Sequence, residues 1–116
     1  MMPAPPILGR ISGADETFVL FMDPDHPGFC GHFPGNPVLP GVLQVDLAIR
    51  LGREAYGPLG AFTALERIKF LEPIRPGETL ELHLVLVTDP VEPGLRFHYL
   101  GQSGRKSSGL IRFLAP

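Results

Sequence analysis

Cysteine is almost absent from this chain. Cys30 stands alone among 116 residues, so no internal disulfide framework can brace the fold, and a reducing compartment is the natural setting. No apolar run comes near the ~20 residues that a membrane-spanning helix needs. The opening residues, MMPAPPIL, carry no basic segment ahead of an apolar one, so they do not read as a secretory signal and the cytoplasm is the expected location. Excess charge is lacking too: the net value of −2 gives no basis for binding nucleic acid. Acidic residues run out after Pro93, while Arg96, Arg105, Lys106 and Arg112 follow. That positive end is either a solvated edge hairpin, where basic side chains discourage pairing with other chains, or a surface for an acidic partner.

What is present describes an ordinary globule, with 44% apolar and 19% charged residues. A chain of this length forms one domain over residues 1–116 and buries about 65% of its unfolded surface. Met1 to Pro6 is proline-rich and is expected to be a mobile tail. Ile7 to Ser12 and Thr17 to Met22 read as two strands of a hairpin. Asp23 to Cys30 is loop, because Pro24, Pro27 and Gly28 interrupt it. From Gly31 to Gly41 three prolines and three glycines fall within eleven residues, which restricts the backbone at Pro34, Pro37 and Pro40 and frees it between them. The helical pattern begins at Gly41. Val42, Val45 and Ile49 line one side, with Leu43, Leu47 and Leu51 beside them, and Gly57-Pro58 ends it. Asp46, Arg50 and Arg53 form a narrow polar stripe, so this helix should be buried on most sides. Ala61 to Phe70, Thr79 to Thr88, Leu95 to Gln102 and Lys106 to Leu114 are strands, and Leu80, Leu82, Leu84 and Leu86 alternate onto one face. The prediction is an α+β fold, an antiparallel sheet of five or six strands wrapped around one central helix.

The segment GHFPGNPVLPGVLQVD, Gly31 to Asp46, resembles the active-site segment of the hot-dog-fold 3-hydroxyacyl-[acyl-carrier-protein] dehydratases. Its Gln44-Val45-Asp46 variant looks closest to the aryl-polyene-type branch of that family. RIKFLEPIRPGETL, Arg67 to Leu80, is similar to the family's strand and turn after the helix. The resemblance implies a hot-dog fold and a homodimer, or an assembly of dimers, whose sheets join edge to edge. It also implies active sites at the subunit interface, no cofactor and no metal. By position it makes His32 the base, Asp46 of the partner subunit the acid, and Gly41 the backbone N–H donor. Phe29, Phe33, Val38 and Arg50 would surround the substrate. An acyl carrier protein bearing a 3-hydroxyacyl chain would be the partner, in fatty-acid or polyene-type biosynthesis. Arg67, Lys69, Arg96, Arg105 and Lys106 are then candidates for docking that acidic carrier.

Those residue types suit the chemistry. A histidine aimed at Cα can take the weakly acidic proton and a carboxylic acid can let the 3-hydroxyl leave as water, each contribution being worth ~10²- to 10⁴-fold. A free N–H at a helix N-terminus can hold the charge that builds on the thioester oxygen. Other readings of the same residues stand beside this one. Asp46 and Arg50 have the i, i+4 spacing of a helical ion pair worth about 0.2–0.5 kcal/mol, and such a pair would keep Asp46 ionised. Arg50 departs from the family, which often has glutamine there. An ionised Asp46 would suit a hot-dog thioesterase that activates water, and a non-catalytic subunit that holds an acyl thioester is the third reading. Cys30 is expected to be a small buried thiol. His83 points away from the leucine face and is expected to be exposed. His26, His83 and His98 show no ligand spacing, so no metal site is assigned. Phe29 and Phe33 either wall an acyl tunnel or belong to the core.

Overall fold

In the computed structural model, which describes residues 2–30 and 35–115, one long helix lies across a six-stranded antiparallel sheet. The elements follow in the order β1 (Ile7–Ile11), β2 (Glu16–Phe21), a 3-10 turn (Pro27–Phe29), α1 (Gly41–Tyr56), β3 (Phe62–Phe70), β4 (Thr79–Val87), β5 (Gly94–Gly101) and β6 (Gly104–Phe113). The sheet order is β1-β2-β4-β5-β6-β3, so β3 crosses over to the far edge. The fold class read from the sequence is the one observed. Each strand lies within two residues of its expected bounds, and β6 begins at the Ser103-Gly104 turn itself.

Alternation along the strands builds the core. Leu80, Leu82 and Leu84 of β4 are buried, and their neighbours Phe18 and Leu20 on β2 and Phe97 and Tyr99 on β5 point the same way. Each such side chain contributes about 1.5–3 kcal/mol by leaving water. Leu47, Ala48 and Leu51 of α1 close this layer from above. Gly52 lets the helix approach β5, since a Cβ there would run into the Leu95 side chain.

The helix is less enclosed than its pattern predicts. Val42 is 74% exposed and Asp46 is exposed as well. The reason is the position of β3, which is bonded on one side only and leaves Phe62, Leu65 and Phe70 open beside α1. Apolar side chains on a free sheet edge are unusual for an isolated chain. No helix among the described residues is long and apolar enough to cross a membrane.

Residues 2–6, expected as a mobile tail, are instead held at three points. Phe21 N–H donates to the Pro6 carbonyl at 2.9 Å, His26 Nε2 lies 2.6 Å from the Pro3 carbonyl, and Arg50 donates to the Met2 carbonyl at 2.5 Å.

The β1–β2 hairpin is locked by Glu16, whose carboxylate accepts from Arg10 at 2.5 Å, Ser12 Oγ at 3.2 Å and the Gly13 N–H at 3.2 Å. The Arg10 hydrogen bond, first among these, holds the Glu16 carboxyl below its ordinary value of 4.5. A carboxyl lowered on folding stabilises the native state above its unfolded pKa, and that contribution is lost as pH falls through the lowered folded value. Urea denaturation should therefore find Glu16→Gln less stable than the native chain at pH 7, with the gap closing as pH falls through the lowered Glu16 value. A gap that stays constant would show that the carboxylate is not what locks the turn.

Candidate active site

The N-terminus of α1 is set by a buried polar cluster. Gln44, buried among apolar neighbours, donates from Nε2 to the Leu39 carbonyl at 3.0 Å and accepts from Ser107 Oγ at 2.7 Å. Tyr99 OH donates to the Gln44 carbonyl at 2.7 Å. Burial, and secondarily the Asp46 charge, push the Tyr99 phenol far above its ordinary value, so it remains a donor. Loop, helix, β5 and β6 are thereby tied at one point. From the sequence Gln44 served only as part of the Gln44-Val45-Asp46 resemblance, and Tyr99 and Ser107 were not singled out; the available signal was a glutamine in an otherwise apolar helical face.

Pro40, extended at φ −60°, is the N-cap and offers no side-chain hydrogen bond to the first turn. Its carbonyl accepts from Leu43 and Gln44 at 3.1 and 3.2 Å. The N–H groups of Gly41 and Val42 have no partner among the described residues, which leaves donors at the positive end of the helix dipole. Phe70 of β3 lies against this end, and a Cβ on Gly41 would stand 2.5 Å from its ring.

Between α1 and β3 runs an apolar groove of ≈ 420 Å³ lined by Gly41, Val45, Ile49, Leu65, Ile68 and Phe70, with Asp46 on its wall. Asp46 also borders a cavity of ≈ 20 Å³ with Arg50, His26, Met2 and Pro3. The structure thus brings Gly41 and Asp46 to one groove. Val38 is half-buried in an adjoining hollow that shares Gly41 and Phe70. Phe29 is 6% exposed and packs into the core. His32 and Phe33 lie outside the described residues. Cys30, expected to be buried, is exposed. Asp46 and Arg50 form no ion pair among the described residues, because the guanidinium is spent on the Met2 carbonyl instead.

On the opposite face of the sheet, Arg67, Lys69, Arg96 and Arg105 surround one concavity of ≈ 360 Å³ together with His98 and Ser108. Arg67 sits at a bulge in β3 with φ 53°. None of these four cations is in an ion pair among the described residues. Lys106 does not belong with them. It is 6% exposed, at a point where the β5–β6 register shifts, and its ammonium pairs with Glu78 at 2.8 Å and Glu72 at 3.4 Å. That removes it from any docking surface. His83 is half-buried rather than exposed. Its ring stacks on His98 at 4.5 Å and its Nε2 lies 2.8 Å from Glu81. Burial first, then the charges of His83 and Arg105, hold His98 below the ordinary imidazole value.

A family model described as ApeI dehydratase matches residues 10–110. The chain belongs to this ApeI-like dehydratase family. A solved structure with the same fold, the dehydratase heterocomplex ApeI:P from Xenorhabdus doucetiae, superposes with a TM-score of 0.85 at 30% identity, covering 95% of this chain and 97% of that one. Among curated relatives, a 3-hydroxyacyl-[acyl-carrier-protein] dehydratase of Thermomicrobium roseum is 45% identical over 67 residues, 52% of this chain and 45% of the relative. Another from Oleidesulfovibrio alaskensis is 36% identical over 90 residues, 70% of this chain and 58% of the relative. The chain spans about half the length of the curated relatives it matches.

If the Gln44 cluster sets the helix, then Gln44→Ala should destabilise the chain by about 2 kcal/mol and Ser107→Ala by about 1 kcal/mol, with the double variant costing less than the sum. Urea denaturation of the three variants measures this. Strict additivity would mean that the two side chains act separately.

Proposed function

We propose that the chain dehydrates a 3-hydroxyacyl thioester carried on acyl carrier protein, releasing water and leaving the trans-2-enoyl thioester. The observation that carries the reading is Asp46. It stands on an open apolar groove beside an uncapped helix N-terminus, and no ion pair among the described residues holds its carboxylate. Membership of the ApeI-like dehydratase family supports the same reaction.

In this reading His32 takes the α-proton, the electron pair moves into the new C=C bond, and the bond to the 3-hydroxyl breaks as Asp46 gives it a proton. One water leaves, and proton exchange resets the imidazolium and the carboxylate. The Gly41 N–H holds the thioester oxygen while charge builds on it. The acyl chain lies along the apolar groove. A second subunit, identical or related, pairs along the free β3 edge and covers Phe62, Leu65 and Val42, so that His32 of one subunit meets Asp46 of the other. The four cations around the outer concavity offer an acidic carrier a surface by charge complementarity. A thioesterase reading rested on Arg50 keeping Asp46 ionised, and the engagement of Arg50 elsewhere withdraws that support.

Mass spectrometry of a series of 3-hydroxyacyl carriers incubated with the chain tests the proposal. Loss of one water from the carried acyl group is expected, with Asp46→Asn lowering kcat by at least ~100-fold. Release of free acid would instead mean hydrolysis. Retention of most activity in Asp46→Asn would remove that residue from the mechanism.

A further inference from the structure

Arg50 is the one cation among the described residues that borders either hollow shared with Asp46. From its own helix it stands one turn away, at a spacing that lets an arginine reach the carboxylate. Among the described residues of the same chain, the other elements around Asp46 bring no competing charge, and the imidazole of His32 from the second subunit is the titratable group that the proposed function sets opposite it. β3 offers Leu65, Ile68 and Phe70 across the groove, and Tyr99 on β5 is committed to the Gln44 carbonyl. His26 is engaged at both ring nitrogens, accepting from the Gly28 N–H at 3.0 Å and meeting the Pro3 carbonyl at 2.6 Å. Met2, Pro3 and Pro5 border the same cavity as Arg50 and bring no charged side chain to it. What they do bring is the Met2 carbonyl, 2.5 Å from the guanidinium.

We propose that residues 2–5 form a positioning strap whose Met2 carbonyl holds the Arg50 guanidinium off Asp46, leaving that carboxyl free to carry the proton that dehydration consumes. The strap is built to stay in place. Pro5 is buried, the Pro3 carbonyl is bound by His26, and the Pro6 carbonyl is bound by Phe21. Two prolines in four residues narrow the conformations it can adopt when released. The Arg50 guanidinium serves here as a fastener for the strap. Freed from the carbonyl, the same guanidinium would favour the ionised form of Asp46 and leave less of the acid available. Arg50 and the strap act through Asp46 and do not touch the reacting atoms.

The catalytic part of this inference rests on Asp46 being the acid, so the test uses two readouts in the full chain. Carbon-13 NMR follows the titration of the Asp46 carboxyl, and the pH profile of kcat follows the reaction. Pro3→Gly and Pro3→Gly/Pro5→Gly loosen the strap, the single variant guarding against loss of folding in the double. Loosening is expected to move the Asp46 titration to lower pH and to cut kcat above neutral pH about three- to tenfold through an earlier basic limb. Adding Arg50→Gln to the loosened chain should reverse both effects, and Arg50→Gln in the native chain should leave the titration in place. An Asp46 titration unchanged by loosening would overturn the strap. So would a rise on Arg50→Gln alone in the native chain. An active Asp46→Asn would sink the acid assignment and with it the strap's role in catalysis, while the carboxyl titration would still decide whether the strap holds Arg50 away.

Discussion

Helix α1 can offer Asp46 to an open groove only because Gln44, two residues earlier, is locked inside. The bonds from Gln44 to the Leu39 carbonyl and from Ser107 and Tyr99 back to Gln44 fix the rotation and height of the first helical turn. Such groups, buried and satisfied, have few alternative arrangements, since breaking one bond strands its partner away from water. The rest of the candidate site follows from that turn. Gly41 lies against the Phe70 ring, the first turn has no side-chain cap, and Asp46 falls on the wall of the groove.

The groove itself results from an unequal distribution of neighbours. β4 and β5 hold the helix on its leucine side, whereas β3, last in the sheet, leaves Val42 and its own Phe62 and Leu65 uncovered. A chain that leaves large apolar side chains along a free edge is suited to a second subunit there. In the proposed function, substrate chemistry and assembly meet on the same strip of surface, and a change to one would be felt by the other.

Much of this was legible in the residues. The leucine alternation of β4 and the apolar periodicity after Gly41 marked the sheet and the helix, because both signals are local and repeat with the period of the element. The Gly31 to Asp46 motif drew attention to this end of α1 through its resemblance to a known family, not through any period. Contacts between distant residues were not legible. Arg50 reaches a carbonyl 48 positions away, and no spacing rule predicts that over a neighbouring carboxylate at i, i+4. Lys106 counted with the basic residues of the positive end, yet a register shift between β5 and β6 turns it inward to Glu72 and Glu78. Cys30 and Phe29 went opposite ways, one exposed and one buried, because a 3-10 turn rather than a strand sets which side chains face the core there.

The central claim is that a carboxyl on α1 of one subunit works with an imidazole from another across the β3 edge. Mixing the separately inactive variants His32→Ala and Asp46→Asn after unfolding and refolding them together tests it most directly. If the site is shared, half of the mixed dimers pair one of each chain and carry one intact site, so activity should return to about a quarter of the native value. If no activity returns although mixed dimers form, both groups act from the same subunit and the shared site is contradicted.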